Sequence, residues 1–389
     1  MKHVMGDLRA HSYLKIILLF GLALPLQLLA SEAYQLLRGD PAGYAAVVPG
    51  KALKFPEDHL PHPDYRIEWW YLTANLIDAS GAHYDVHWTL FRQSMSPLAD
   101  PGGWSSNQVW MAHAALSTPE GHVYKQQFAR GGIGQAGVEW TTTNKVTANP
   151  ESTTATNSPD QFQAWLDNGM LKGQGSSPLP GQLSFTVEDF EVSLNLNVAT
   201  PWVLQGDAGY SRKSNMGQAS YYYSQPHITI TGEVTRNQQT TNLTGQGWLD
   251  REWSSQPLAP NQPGWDWLSV HLDDGHALMV YRLRQDNGED WISGSWITPE
   301  GQTTSLNKSD IVFEPIRHTT LKTGTNTHHK LPLHWRVALP GLGLSWTVAP
   351  RSEDHWLNTA FPYWEGPVTL EGTMAGQGFL ELTGYPESQ

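Results

Sequence analysis

The chain has 389 residues, a formal net charge of −13 and no cysteine. This excludes disulfide staples, thiolate nucleophiles and cysteine-ligated metals, and an acidic chain without basic blocks argues against nucleic acid as a partner. The length suits two or three domains, and 18 Trp, 14 Tyr and 10 Phe suffice for large cores or an aromatic-lined cavity.

At the N-terminus, Lys2, Arg9 and Lys15 lead into an apolar run, Ile16–Ala30, interrupted by Pro25 and Gln27. The run is too short and too broken for a comfortable membrane span. It reads as a secretory signal peptide over residues 1–30, cleaved after Ala30 or Ala33, with an uncleaved anchor as the alternative. Export, to the periplasm, is the expectation. Ser31–Leu37 has the pattern of a short helix. Beyond it, alternation and turn residues predict strands almost throughout, and no long amphipathic helix is evident.

The run Glu68–Trp69–Trp70–Tyr71 is the first dense segment. On a strand, Glu68 and Trp70 share one face and Trp69 and Tyr71 the other. Either one of these faces lines a cavity, or the strand is buried on both sides with Glu68 in a salt bridge. His83, Asp85 and His87 also share a face at a spacing that resembles metal ligation. No third ligand is evident, so a solvent-facing strand surface is expected there, with no metal and no cofactor. His113, in the apolar segment Trp110–Ala115, is either a hydrogen-bonded core residue or a pocket residue.

Further along, Asn144–Pro180 is rich in Thr, Ser, Asn, Gly and Pro and reads as an insertion. Phe190–Val198, Ile228–Val234, Ala277–Arg284 and Trp335–Leu339 alternate as half-buried strands. The segment Gly247–Trp253 (GWLDREW) sets Asp250 beside Trp248 on one strand face. A carboxyl next to an indole in an apolar pocket has a raised pKa and can serve as a general acid. The other reading is an Asp–Arg pair bracing a junction.

Four segment pairs recur in the same order. Gly245–Asp250 (GQGWLD) returns as Gly376–Glu381 (GQGFLE). Thr118–Gly121 returns as Thr298–Gly301, Trp70–Arg92 resembles Trp267–Arg284, and Ile228–Gly232 resembles Val368–Gly372. Ordered pairs predict a duplicated fold, with Gly245–Asp250 and Gly376–Glu381 as equivalent strands. The expected domains are residues 31–252 and 253–389. The chain has no G-x-S-x-G elbow, P-loop or H-E-x-x-H, which disfavours serine hydrolase, nucleotide and zincin chemistry.

Taken together, EWWY at 68–71, AHAA at 112–115, SYYYS at 220–224, GWLDREWSSQPL at 247–258 and GWDWLSVHLDDG at 264–275 resemble the secreted AttH-like proteins grouped with carotenoid 1,2-hydratase. The resemblance covers roughly residues 40–385 and implies an all-β fold of two tandem lipocalin-like β-barrel domains. It also implies an apolar ligand, isoprenoid, polyene or lipid, and a possible inner-membrane ABC permease as partner. The hydratase branch adds water across an isoprenoid double bond without a cofactor. Its acid, an Asp in a Tyr-x-Asp segment, falls on Asp250, with Trp248 at the Tyr position and Tyr221 and Tyr223 at an upstream His and Trp. The resulting expectation is a cofactor-independent hydratase-like protein, with Asp250 as acid and Trp248, Tyr221, Tyr223, Glu68, Trp70 and His113 around the ligand. The rival expectation is a non-enzymatic carrier serving a lipid or lipoprotein export system.

Overall fold

In a computed structural model, residues 37–141 and 160–388 are described. The signal-peptide reading, nearly all of Ser31–Leu37 and part of Asn144–Pro180 lie outside them. The described residues form two antiparallel sheets, of 13 and 10 strands. The strands of the first run from Ile67 to Ser254, and those of the second from Trp265 to Thr383. Each sheet curls around its own apolar core, as two lipocalin-like barrels do. The first encloses Trp70, Trp88, Phe162 and Leu194, and the second Leu268, Trp335, Trp346 and Trp364.

The duplication is visible in the register. Ile67–Ile77 is flanked by His83–Ser94 and Gln239–Ser254, and Trp265–Leu272 is flanked by Ala277–Leu283 and Gly376–Thr383. Asp250 stands opposite Tyr71, and Glu381 stands opposite Trp267. Gly245–Asp250 and Gly376–Glu381 are therefore equivalent strands, as the repeat predicts. One detail differs. Trp267 is equivalent to Tyr71 rather than to Trp70, so the Trp-to-Trp match is one residue out of step. A second irregularity lies beside it. The strand Ala219–Arg236 has a bulge between Gln225 and Ile228, whereas Tyr363–Gly372 runs without one.

Packing explains the glycines of the repeat. A Cβ on Gly245 would lie 2.1 Å from the Asn75 carbonyl oxygen, and one on Gly378 would lie 1.9 Å from that of Ser269. The neighbouring strand crosses too closely for any side chain. The Asn144–Pro180 insertion is only partly loop, because Gln161–Leu166 and Gly169–Gly173 extend the first sheet.

Each barrel also holds a buried carboxylate between two arginines. Arg92 and Arg251 both bond Glu68, and Arg282 and Arg284 bond Asp266 at 2.7 and 2.6 Å. Burial works against the charge on Glu68, but the two guanidiniums hold its pKa well below the usual carboxylate range.

Gly378→Ala should destabilise the fold by about 1–3 kcal/mol, the usual scale of overpacking. Gly341→Ala, with nothing within 4 Å of its Cβ, should stay within about 0.5 kcal/mol. Denaturant melts of the two variants check this. Equal effects would contradict the close-approach account.

Candidate active site

The outer faces of the two sheets are buried against each other, so strand parity decides what meets there. On Ile67–Ile77, Trp70, Leu72, Ala74 and Leu76 enter the first core, while Ile67, Trp69 and Tyr71 face the seam. On Gln239–Ser254, Trp248, Asp250 and Glu252 face the seam. From the second sheet come Trp265 and Trp267, Glu365, and Glu381. All of these seam-facing groups but Trp248 line a cavity of about 170 Å³ whose walls are otherwise mostly apolar, among them Met111, Phe128, Leu258 and Leu283.

Four carboxyl groups converge on this space: Asp250, Glu252, Glu365 and Glu381. Asp250 accepts hydrogen bonds from the Tyr222 hydroxyl at 2.6 Å, the Ser224 hydroxyl at 2.5 Å and the Trp248 indole at 2.6 Å. Burial outweighs these three donors and pushes its pKa up to about 7. Glu381 is its counterpart in the second copy. It accepts from the Trp265 indole at 3.0 Å, and burial pushes it up to about 8. Glu365 accepts from the Tyr71 hydroxyl at 2.5 Å, and burial, reinforced by Glu381, raises its pKa well above the usual value.

Glu252 is different. The Lys213 ammonium lies 2.8 Å from it, and the Ser220 hydroxyl donates to it. Burial disfavours the lysine's charge, but Glu252 offsets this and leaves the ammonium pKa raised. The ammonium also lies over the Tyr222 and Tyr281 rings at 5.1 and 4.3 Å.

Two histidines complete the wall. His87 lies 3.2 Å from Glu365 Oε2 through Nε2 and shares a 2.7 Å hydrogen bond with Thr89. Burial lowers its pKa well below the usual value, so the ring is neutral. His87 Nδ1 and Glu365 Oε2 are buried without a hydrogen-bond partner, which leaves polar atoms for a ligand to meet. His113 Nδ1 lies 2.8 Å from the Tyr363 hydroxyl, and its Nε2 lies 2.8 Å from Gln126 Nε2.

Of the residues expected around the ligand, Asp250 and His113 line this cavity. Trp248 braces Asp250 from the adjoining layer, packed on Trp267. Glu68, Trp70, Tyr221 and Tyr223 do not line it, because they point to the opposite face of the sheet. Trp70 is in the first core. Tyr221 and Tyr223 pack with Trp253, and Glu68 is held by Arg92 and Arg251. The alternation holds, and the face of the EWWY segment that lines the cavity is that of Trp69 and Tyr71, while the cavity-lining tyrosine of the SYYYS segment is Tyr222. The expectation of a solvent-facing His83–Asp85–His87 surface also fails. His83 is exposed, but Asp85 and His87 are buried in the seam, where Asp85 pairs with Arg351 at 2.5 Å. Among the described residues, no group of three or more His, Asp or Glu is placed to hold a metal ion.

Glu365, Glu381, Tyr71, Tyr222 and His87 were not proposed as site residues. One signal in the sequence pointed to Glu381. GQGFLE repeats GQGWLD, so a role for Asp250 implies a partner at the same place in the second copy.

Comparison with known proteins follows the geometry. The AttH-like family profile matches residues 46–385. No curated protein matches the chain. The crystal structure of a protein of Nitrosomonas europaea assigned as AttH is 35% identical, with a TM-score of 0.69, over 88% of this chain and 99% of that one. The structure of kievitone hydratase from Nectria haematococca is 16% identical, with a TM-score of 0.59, over 88% of this chain and 97% of that one. At that identity the second likeness establishes the fold alone.

The raised carboxyls make stability depend on pH. A folded-state pKa above the unfolded value gives stability that is complete below the unfolded pKa and is lost as pH rises through the folded one. For Asp250 and Glu381 that loss extends to about pH 7 and 8. The buried neutral histidines act oppositely, but their contribution is complete about one pH unit above their ordinary pKa of 6.5. The melting temperature should therefore fall as pH rises from about 7.5 to 9, and Asp250→Asn with Glu381→Gln should flatten the fall. A rise over this window would contradict the assignment.

Proposed function

The chain belongs to the AttH-like family, and from that membership we propose that it binds an apolar, isoprenoid- or lipid-type molecule in the seam cavity and hydrates it. The observation that carries the reading is the convergence of buried, proton-retaining carboxyls on a mostly apolar space. An engineered apolar cavity of about 150 Å³ binds benzene, so a space of about 170 Å³ suits one branched end group of a longer ligand. The likeness to kievitone hydratase lends support to hydration as the reaction class.

In this reading Asp250 is the general acid. With a pKa of about 7, a large fraction of it carries a proton at neutral pH. That proton passes to one alkene carbon, the π pair forms the new C–H bond, and the other carbon becomes a tertiary cation. The faces of Trp69, Tyr71 and Trp267 stabilise the cation. A water oxygen then bonds to the cationic carbon, and its surplus proton returns to the Asp250 carboxylate. No cofactor is required. Neutral Glu365 and Glu381 keep the site from accumulating negative charge that would make Asp250 harder to ionise. The protein would act after export, on the periplasmic side.

A second reading is a carrier without turnover, delivering its ligand to an inner-membrane ABC permease. The three donors on Asp250 favour it, because they seat a carboxylate equally well without chemistry.

Mass spectrometry of molecules copurifying with the native protein identifies the ligand. With that ligand, Asp250→Asn should lower turnover by about 10²–10⁴ and leave binding within a few fold. Wild-type turnover should be level at acid pH and fall as pH rises through about 7, because the acid must be protonated. Unchanged turnover in Asp250→Asn would overturn the catalytic role. Ligand binding without any turnover in the wild type would favour the carrier.

A further inference from the structure

The two ends of the first barrel differ in chemistry. At one end the hairpin tips are charged: Asp78, Glu120, Glu188 and Asp189, with Arg236 bonded to Glu120 and Asp189 at 2.6 and 2.7 Å. The register places all these turns together, beyond the Ile77–His83 and Ile77–Thr244 pairs.

The other end begins at the Ile67–Gln93 and Ile67–Ser254 pairs. Here the connection from Ser94 to Gln108 carries Met95, Leu98 and Trp104, which are 60%, 77% and 80% exposed. Phe128, near the adjoining strand end, and Met216, in the turn before Ala219, are 51% and 65% exposed. Five of the ten exposed large apolar side chains among the described residues thus gather at one end. Leucine and tryptophan at such exposure on a connection contribute nothing to the core.

Two further observations say what covers them. The cavity reaches this end: Ile67, Gln93, Val109 and Phe128 all line it. Leu37, where the described chain begins, lines it too, and its carbonyl accepts from Leu258 N at 3.4 Å. A membrane surface fits both the exposed apolar side chains and the cavity that opens beside them. Exposed Leu and Met side chains enter the acyl boundary and Trp settles at the headgroup level. An apolar ligand can then pass between bilayer and cavity without crossing water, and the charged tips stay outward.

We propose that this end of the first barrel docks on a lipid bilayer, with Leu98 and Trp104 entering its interfacial layer and the cavity mouth turned toward the acyl chains. The contact is apolar rather than electrostatic. A chain of net charge −13 is repelled by anionic lipid, so zwitterionic membranes should be preferred. The inference is independent of the proposed hydration and holds equally for a carrier.

The absence of cysteine allows a single fluorophore to be placed at will. Complete chains carrying Leu98→Cys, Trp104→Cys or Met216→Cys, each with an environment-sensitive label, are mixed with phosphatidylcholine vesicles. Ile77→Cys reports the opposite end. The first three labels should brighten, shift to the blue and be quenched by quenchers fixed in the lipid chains, while the label at 77 should not respond. In the Met216→Cys background, adding Leu98→Asp and Trp104→Asp should reduce the lipid-dependent signal roughly tenfold or more. Both positions are exposed, and circular dichroism verifies folding. Three results would each overturn the proposal: no response at 98 and 104, an equal response at 77, or a lipid-independent response that grows with protein concentration and so marks contact between copies or with another protein.

Discussion

The arrangement depends on one constraint: the central strands of both sheets are buried on both faces. A half-exposed strand sends one face to the core and the other to water. Here Ile67–Ile77 and Trp265–Leu272 each send one face to their own barrel and the other to the seam. Most seam-facing polar groups, Asp250, Glu252, Glu365 and His87 among them, are thereby buried. The high pKa values of Asp250, Glu365 and Glu381 share this first cause, burial, as does the neutrality of His87 and His113.

The duplication makes the constraint productive. Two copies of one strand, each ending in a carboxylate, are brought face to face, so Asp250 and Glu381 are a pair by descent as well as by position. The copies have diverged in what surrounds the carboxyl. Asp250 has three donors and Glu381 has the Trp265 indole, and Ser224 stands opposite Asp250 where Glu365 stands opposite Glu381. The pair is symmetric in backbone and asymmetric in its hydrogen-bond donors. The ion clusters at Glu68 and Asp266 show the contrasting outcome. Glu68, a buried carboxylate between two arginines, is held well below the usual carboxylate range, and Asp266 is clasped by Arg282 and Arg284 in the same way.

How much was legible in the sequence follows from the same geometry. Strand character, the all-β class and the repeat register could be read because side-chain alternation and the GQG glycines are local signals. The grouping of Glu68 with Trp70, and of Trp69 with Tyr71, was also legible. Which group faces the cavity was not. In a strand buried on both sides the two faces are equally apolar, and the choice depends on where the second barrel docks. That single undetermined choice accounts for Glu68 and Trp70 being named in place of Trp69 and Tyr71, and Tyr221 and Tyr223 in place of Tyr222. Asp85 and His87 were assigned to solvent for a related reason. Polar residues at alternate positions suggest an exposed face, and their partners, Arg351 and Glu365, lie more than 250 residues away.

The central claim is that ligands occupy the seam and not the interior of either barrel. Photocrosslinking with a diazirine-bearing prenyl probe, mapped by peptide mass spectrometry, tests it most directly. The account predicts label on the peptides carrying Tyr71, Trp267 and Tyr363, on both sides of the seam. Label confined to core peptides, such as those carrying Trp88 and Leu194 or Trp335 and Trp346, would contradict it.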